Sequence, residues 1–280
     1  MQIKLITRKL SLILLSFTCF FMIACQSQNE QNATENRIRL ITLSPHLAEL
    51  VVSAGAIDNL VGVVSYSDFP DEVKGIKNIG DAFKIDYEAI TALQPDYVLS
   101  WKGGTPIATV DKLKSLNINV LETQINQLSD IPETINLIAN LTNTQDIADS
   151  NIETFKNTIS ELKQNSYNKQ SLFIETFHQP IYTVSSDHWM SEAASVCGYE
   201  NIFKQLPKIS VPVNIEAIIR KNPETILNVS NQVDNQWLKW QNIYAVKNNN
   251  IHLIHPDYFT RPSMRILKGI KQLCEINKRH

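Results

Sequence analysis

Short apolar runs alternate with segments of helical spacing along most of the chain. Buried strands are predicted at six apolar runs, at 38–43, 60–65, 97–100, 171–176, 225–229 and 251–254. Further helices are predicted at 109–116, 131–141 and 265–275. From Gln145 to Gln164 the apolar positions keep a helical repeat without glycine or proline, which predicts one long helix. This alternation indicates an α/β protein with mainly parallel sheets.

One segment of the chain occurs twice. The run 86–90 followed by Pro95 matches the run 214–218 followed by Pro223, with every position shifted by 128 residues. Asp86 and Asn214 are good N-cap residues, so each copy predicts a short helix that ends before a buried strand. A second pair, 47–49 with Gly55 and 190–192 with Gly198, predicts two helices that each end at a glycine. Two matches in the same order predict two related lobes, separated by the long helix.

The N-terminus has the pattern of an export signal. Basic residues at 4, 8 and 9 precede an apolar run at about 10–23 that is too short to span a membrane. The run ends Met22-Ile23-Ala24-Cys25, which resembles the lipobox of bacterial lipoproteins. We therefore predict a signal peptide at 1–24, a lipidated Cys25 and a polar tether through 36, with an incidental cysteine in an ordinary secretory signal as the alternative. The expected location is the cell envelope, with the body outside the cytoplasm and anchored to a membrane.

Composition excludes several classes of protein. Hydrophobic residues make up 43% of the 280 residues and the formal net charge is −2, so the chain is globular and has no basic surface for nucleic acid. Of the four cysteines, only Cys197 and Cys274 remain in the mature body away from the anchor. An even pair in an exported protein favours a disulfide, while metal binding by two cysteines without CxxC spacing is the weaker alternative.

Candidate binding residues follow the predicted strands, where ligands bind in open α/β sheets. These positions are 44–46, 66–68, 101–104, 177–178 and 257–261, and they are rich in aromatic residues and glycine. Such a set suits stacking against a flat, bulky ligand, although core packing is the alternative for each aromatic residue alone. The six histidines show no metal-ligand spacing, and the usual nucleotide-binding and hydrolase motifs do not occur. A pairing of Ser44 with His46 is the single candidate for an envelope hydrolase.

Several motifs identify a family resemblance. They are Leu43-Ser44-Pro45, Tyr66-Ser67-Asp68-Phe69-Pro70, Trp101-Lys102-Gly103-Gly104, the run 196–203 and Asp257-Tyr258-Phe259-Thr260-Arg261. Across 37–277 the chain resembles the substrate-binding proteins of cobalamin ABC importers, in which one rigid helix joins two α/β lobes around a ligand cleft. The resemblance implies an N-terminal lobe at 37–144, a linking helix at 145–166 and a C-terminal lobe at 167–280. Because a single stiff helix resists hinging, we expect little lobe closure.

The resemblance also implies roles for individual residues. The corrinoid cleft would be lined by Pro45, His46, Tyr66, Trp101, Gly103, Asp257, Phe259 and Arg261. Phe83 stands near a position where the family has a cleft tryptophan, and Ser210 replaces another. Cys197 and Cys274 would form a disulfide. Glu88 and Glu216 would dock onto arginines of the two membrane subunits of the transporter, although each also lies where a carboxylate favours a helix N-terminus.

The function expected from these residues is the binding and delivery of a ligand. We expect a monomeric, lipid-anchored protein that captures cobalamin or a related corrinoid and delivers it to an ABC importer, without catalytic residues, a metal site or a cofactor. Siderophore and haem carriers share the expected architecture, so an iron importer is the alternative. An envelope hydrolase is the remote alternative.

Overall fold

The computed structural model describes residues 37–81, 83–231 and 235–278. The predicted signal peptide, Cys25 and the tether lie outside the described residues. Within these ranges, no helix combines the length and the apolar character that crossing a membrane requires.

The first lobe is built on a four-stranded parallel sheet. Its strands are β1 (Leu40–Thr42), β2 (Leu60–Val63), β3 (Tyr97–Trp101) and β4 (Val120–Thr123), in the order β2-β1-β3-β4. The helices are α1 (Pro45–Ser53), α2 (Tyr87–Ala92), α3 (Ile107–Ser115) and α4 (Asp130–Thr142). Ile41, Ile90, Val98 and Leu113 meet in the core between sheet and helices. The carboxyl ends of the strands therefore share one edge of the lobe.

The second lobe repeats this plan. Its parallel sheet has the order β10-β9-β5-β7, from β5 (Gln170–Glu175), β7 (Tyr199–Asn201), β9 (Thr225–Val229) and β10 (Ile251–Ile254). The strands β6 (Tyr182–Val184) and β8 (Ser210–Pro212) form a separate antiparallel pair. The helices are α6 (Trp189–Val196), α7 (Ile215–Lys221), α8 (Tyr244–Lys247), α9 (Pro256–Phe259) and α10 (Ile266–Lys278). The expected α/β architecture of two lobes is confirmed.

The long helix between the two sheets is α5 (Gln145–Gln164), which begins and ends at the predicted residues. Its 20 residues span about 30 Å. The side chain of Asn151 donates a hydrogen bond of 2.7 Å to the carbonyl of Ser53 at the end of α1. Nearby, Gly55 has a φ of +78°, and a β-carbon there would lie 2.7 Å from the Cβ atom of Ile147. Glycine at position 55 thus ends α1 and lets α5 pack closely.

The repeated segments adopt the same local structure in both lobes. Asp86 and Asn214 each accept a hydrogen bond of 2.9 Å from the backbone N–H three residues later, as N-cap residues do. Further along, Asp96 and Glu224, at matching places in the repeat, each accept a 2.7 Å hydrogen bond from the backbone of the neighbouring strand segment. The internal repeat is therefore a repeat of hydrogen bonding as well as of sequence.

A disulfide joins Cys197 at the end of α6 to Cys274 in α10. The predicted pairing is confirmed, and the alternative of metal binding by these two cysteines is wrong. Among the described residues, no group of three or more His, Cys, Asp or Glu side chains is arranged to hold a metal ion.

Candidate functional site

His46 and Trp101 meet at the carboxyl edge of the first sheet. Pro45 begins α1 directly after β1, which carries His46 toward the end of β3, where Trp101 is the last residue. The two ring centroids lie 5.0 Å apart in an edge-to-face arrangement. Ser44 occupies the predicted N-cap position, but its hydroxyl lies 3.1 Å from Nδ1 of His46 and caps no backbone N–H. Ser44 therefore orients the imidazole.

His46 is buried and neutral. Burial, with a smaller contribution from the nearby charge of Arg261, lowers its pKa from 6.5 to about 3. Its Nε2 atom has no hydrogen-bond partner within the part of the chain that the structure describes. Ser44 lies within hydrogen-bond distance of His46, but an imidazole with so low a pKa is a poor general base at neutral pH, where a hydrolase would need a good one.

Trp101 depends on the glycine turn that follows it. A β-carbon at position 104 would lie 2.0 Å from Cε3 of the Trp101 ring, so only glycine lets the indole lie against this turn. Gly103 is exposed and has a φ of +92°, in the left-handed region that favours glycine. The centroid of the Trp101 ring lies 6.3 Å from that of Trp189 in the second lobe. Trp101 thus packs between the two lobes.

Asp257 and Arg261 belong to a charged cluster that crosses between the lobes. Arg261 lies 2.9 Å from a carboxylate oxygen of Asp68 and 3.1 Å from one of Glu49, both in the first lobe. It also lies 3.3 Å from Asp257, which in turn pairs with Arg265 at 3.1 Å. Since the Arg261 side chain keeps 16% of its surface exposed, it can still meet a ligand.

The pKa shifts in this cluster follow from burial and ion pairing. Burial raises the pKa of the Glu49 carboxyl, and its bonds with Ser263, Arg265 and Arg261 offset part of that rise. Burial acts to raise the pKa of Asp68, but the hydrogen bond and charge of Arg261, with smaller contributions from a backbone hydrogen bond and Arg265, together lower it. The cluster therefore holds Asp68 ionised beside a guanidinium.

Three aromatic side chains that the sequence predicts at or near the ligand cleft are exposed to solvent. Phe83 is 100% exposed, Tyr66 is 79% exposed and Phe177 is 60% exposed. Tyr66 has a φ of +68°, a conformation that non-glycine residues adopt rarely and at some cost. Tyr66 and Phe177 follow strands and Phe83 lies in a loop, and large apolar side chains left in water in this way are typical of a surface that a ligand covers.

One residue predicted to line the cleft lies inside the core in this structure. Phe259 is fully buried, because α9 is a single helical turn that directs its fourth residue into the core. Its backbone carbonyl accepts a 3.1 Å hydrogen bond from the indole nitrogen of Trp189. Phe259 therefore supports Trp189 through its backbone, while its place in a ligand cleft stays a prediction.

Sequence patterns missed a buried carboxylate in the second lobe. Glu175 ends β5 and accepts hydrogen bonds from Trp237 at 2.8 Å and from Gln236. His178, predicted near the cleft, lies 3.4 Å from the same carboxylate. Burial raises the pKa of Glu175, while these partners offset part of the rise. The signal in the sequence that could have identified Glu175 is an acidic residue at the end of an apolar strand.

Glu88 and Glu216 lie in equivalent places on the two lobes. Each is an exposed residue in the first turn of its helix, α2 or α7. The structure therefore leaves both carboxylates free to contact solvent or a partner, besides their favourable place near a helix N-terminus.

Comparison with known proteins identifies the family. A family model described as periplasmic binding protein matches residues 40–258. The chain belongs to this periplasmic binding protein family. A vitamin B12-binding protein of Vibrio campbellii is 31% identical over 242 residues, which cover 85% of this chain and 88% of the relative. One from Yersinia pestis is also 31% identical, and covers 85% of each chain. These relatives are binding proteins, and so is this chain, which is not an enzyme.

Solved structures agree with this assignment. The vitamin B12-binding protein BtuF of Vibrio cholerae superposes with a TM-score of 0.80 at 28% identity, covering 87% of this chain and 97% of BtuF. The haem-binding protein HutB of the same organism has a TM-score of 0.73 at 18% identity, covering 85% and 98%. At that lower identity, the likeness to HutB shows the shared fold alone.

Proposed function

We propose that this binding protein captures cobalamin or a related corrinoid between its lobes and delivers it to an ABC importer, while a lipid on Cys25 anchors it to a membrane. The observation that carries the proposal is a set of aromatic side chains, with Tyr66, Phe177 and the half-buried Trp101 at strand ends and Phe83 in the loop before α2. Tyr66, Phe83 and Phe177 are exposed. A corrinoid is a flat macrocycle with amide side chains. Aromatic rings suit its faces, and the nearby Asp257 and Arg261 suit its amides.

Calorimetric titration of the purified protein with cyanocobalamin, haem and a ferric siderophore tests the ligand. We expect binding of cobalamin in the low micromolar range or tighter. Failure of cobalamin to bind below the high micromolar range, with haem or the siderophore bound instead, would assign the protein to iron uptake.

A pair of variants on one strand tests the site. Trp101→Ala removes the indole at the carboxyl end of β3, and Tyr97→Ala removes a half-buried ring at the amino end of the same strand. Loss of a stacked aromatic contact of about 1.5 kcal/mol corresponds to roughly tenfold weaker binding. We expect that loss for Trp101→Ala alone. Equal weakening by both variants would place the ligand elsewhere.

Delivery to the importer is tested with the double variant Glu88→Ala/Glu216→Ala. We expect cobalamin uptake to fall sharply while cobalamin affinity stays unchanged, because the two carboxylates would contact the transporter and not the ligand. The matched control is Glu133→Ala/Glu275→Ala, which removes one exposed carboxylate from each lobe at other sites. Full uptake by the first variant would leave Glu88 and Glu216 as helix-end charges.

The proposed anchor predicts that Cys25→Ser moves the protein from the membrane fraction to the soluble fraction. Retention of that variant in the membrane fraction would support the alternative of an incidental cysteine.

A further inference from the structure

Two glutamates at equivalent places in the lobes each bond to the opposite lobe. Glu49 lies on α1 and Glu192 lies on α6, and they are the last residues of the matching segments 47–49 and 190–192. The repeat therefore brings a carboxylate to the inner side of each lobe.

Glu49 reaches from the first lobe into the second. Its carboxylate accepts hydrogen bonds from Arg261 at 3.1 Å, from Arg265 at 3.2 Å and from the hydroxyl of Ser263 at 2.5 Å. All three donors lie between α9 and the start of α10. Glu49 is only 4% exposed, so its charge is withdrawn from water and compensated by donors of the other lobe.

The same segment makes further contacts with the first lobe. The guanidinium of Arg265 lies 4.4 Å from the centroid of the Phe69 ring, and Arg261 pairs with Asp68. Two cations of the second lobe thus lie against the loop that follows β2. Glu49 is the buried centre of this contact.

Glu192 makes the reciprocal contact. Its carboxylate accepts a 2.6 Å hydrogen bond from the backbone N–H of Leu128, which lies in the first lobe just before α4. Leu128 is itself buried, so its N–H group depends on an acceptor from the protein. Each lobe therefore supplies one carboxylate to donors of the other, as the two halves of a two-fold interface do.

We propose that Glu49 and Glu192 are reciprocal positioning residues that fix the separation of the lobes and hold Arg261 at the edge of the cleft. These contacts connect the lobes in addition to the linking helix α5 and the packing of Trp101 against Trp189. A body connected in this way resists both hinging and twisting. Only the ligand-affinity part of this inference depends on the proposed function.

Hydrogen–deuterium exchange of the full chain tests the inter-lobe contacts without a ligand. We expect Glu192→Gln to speed exchange at the Leu128 amide at least tenfold, and Glu49→Gln to do the same for the segment 261–265. Exchange in the core strands β5 and β9 should stay unchanged. The matched controls are Glu122→Gln and Glu200→Gln, since each of these carboxylates pairs with a lysine of its own lobe.

A second measurement is the radius of gyration from small-angle scattering. We expect it to increase for Glu49→Gln/Glu192→Gln and to stay constant for the control variants. Cyanocobalamin affinity should fall at least tenfold in the same double variant. If the wild-type protein binds no cobalamin, the proposed function fails while exchange and scattering still decide the inter-lobe roles.

Two results would overturn the inference. One is a hydrogen–deuterium exchange rate at the Leu128 amide and at 261–265 that is the same in the variants as in the wild-type protein. The other is faster exchange spread evenly over both lobes, which would assign the glutamates a general role in stability. If Glu49→Gln does not fold, Ser263→Ala removes one donor and leaves both arginines, and we then expect a smaller increase of two- to fivefold, confined to 261–265.

Discussion

Removal of the disulfide should destabilise the second lobe by several kcal/mol. The bond joins Cys197 to Cys274 across 77 residues of sequence, a loop that holds β7 to β10. In the chain-entropy treatment, a cross-link over a loop of this length lowers the entropy of the unfolded chain by about 15 cal/mol/K, or about 4.5 kcal/mol at 25 °C. Both half-cystines are buried, so truncation also costs some packing. We therefore expect Cys197→Ala/Cys274→Ala to lose about 5 kcal/mol of unfolding free energy.

Urea denaturation followed by tryptophan fluorescence measures this loss, because Trp237 is buried in the core of the second lobe. The denaturation midpoint should fall, and the slope should rise because the unfolded chain becomes less compact. A reductant should shift the wild-type midpoint and leave that of the double variant unchanged. Cobalamin affinity should stay within about threefold, since Cys274 lies about 13 Å along the chain from Arg265 at helical rise. A loss below about 1 kcal/mol would refute the entropy argument and indicate that the unfolded lobe is already constrained.

Two further predictions concern acid and the glycine turn. Burial lowers the pKa of both His46 and His188 to about 3, so below the ordinary value of 6.5 the unfolded chain binds protons that the folded chain does not. The free energy of unfolding that is present above pH 6.5 should fall as the pH falls toward 3, by up to about 3 kcal/mol per histidine at pH 4. The buried carboxylates of Glu49 and Glu175, whose pKa is raised, offset part of this loss. Urea midpoints from pH 7 to pH 4 check this, and a flat profile would contradict it. Gly104→Ala should displace the Trp101 ring and weaken cobalamin binding about tenfold. The control Gly75→Ala should leave binding unchanged, because an added β-carbon there meets no atom within 4 Å. Equal cobalamin affinity of the two variants would show that the position of the Trp101 ring does not matter for binding.

The elements predicted best are those in which burial and periodicity agree. β9, β10 and α5 begin and end at the predicted residues. β9 is buried at every position and has three apolar residues among its five, and α5 has no interrupting glycine or proline. The short helices α2 and α7 follow their N-cap residues as expected, although α2 ends at Ala92, before the turn at Pro95.

Elements defined by pairing were missed. β6 and β8 have three residues each, and they are strands only because they pair with one another. Three residues contain too little alternation to distinguish a strand from a loop. β7 was missed for the same reason. β4 was missed because polar Glu122 and Thr123 interrupt its apolar run.

Side-chain direction limited the prediction of the site. The segment 257–261 was expected to face a ligand, yet within one turn Phe259 enters the core while Arg261 reaches the other lobe. The partners Glu49 and Arg261 lie 212 residues apart, and a sequence without its fold does not show which charges meet. The repeat identified Glu49 and Glu192 as equivalent positions, but their partners follow only from the packing of the lobes.

Carboxylates at equivalent places in the two lobes have different roles in this binding protein. Asp96 and Glu224 accept hydrogen bonds from the backbone within their own lobes, and so contribute to the fold. A carboxylate such as Glu49 that bonds to the other lobe must instead affect how the lobes are placed. If the lobes are held at a fixed separation, binding cannot be coupled to a large closure, so the ligand must enter a cleft that is already formed. Release would then require an external force on both lobes at once, and the proposed docking of Glu88 and Glu216 onto an importer would supply it.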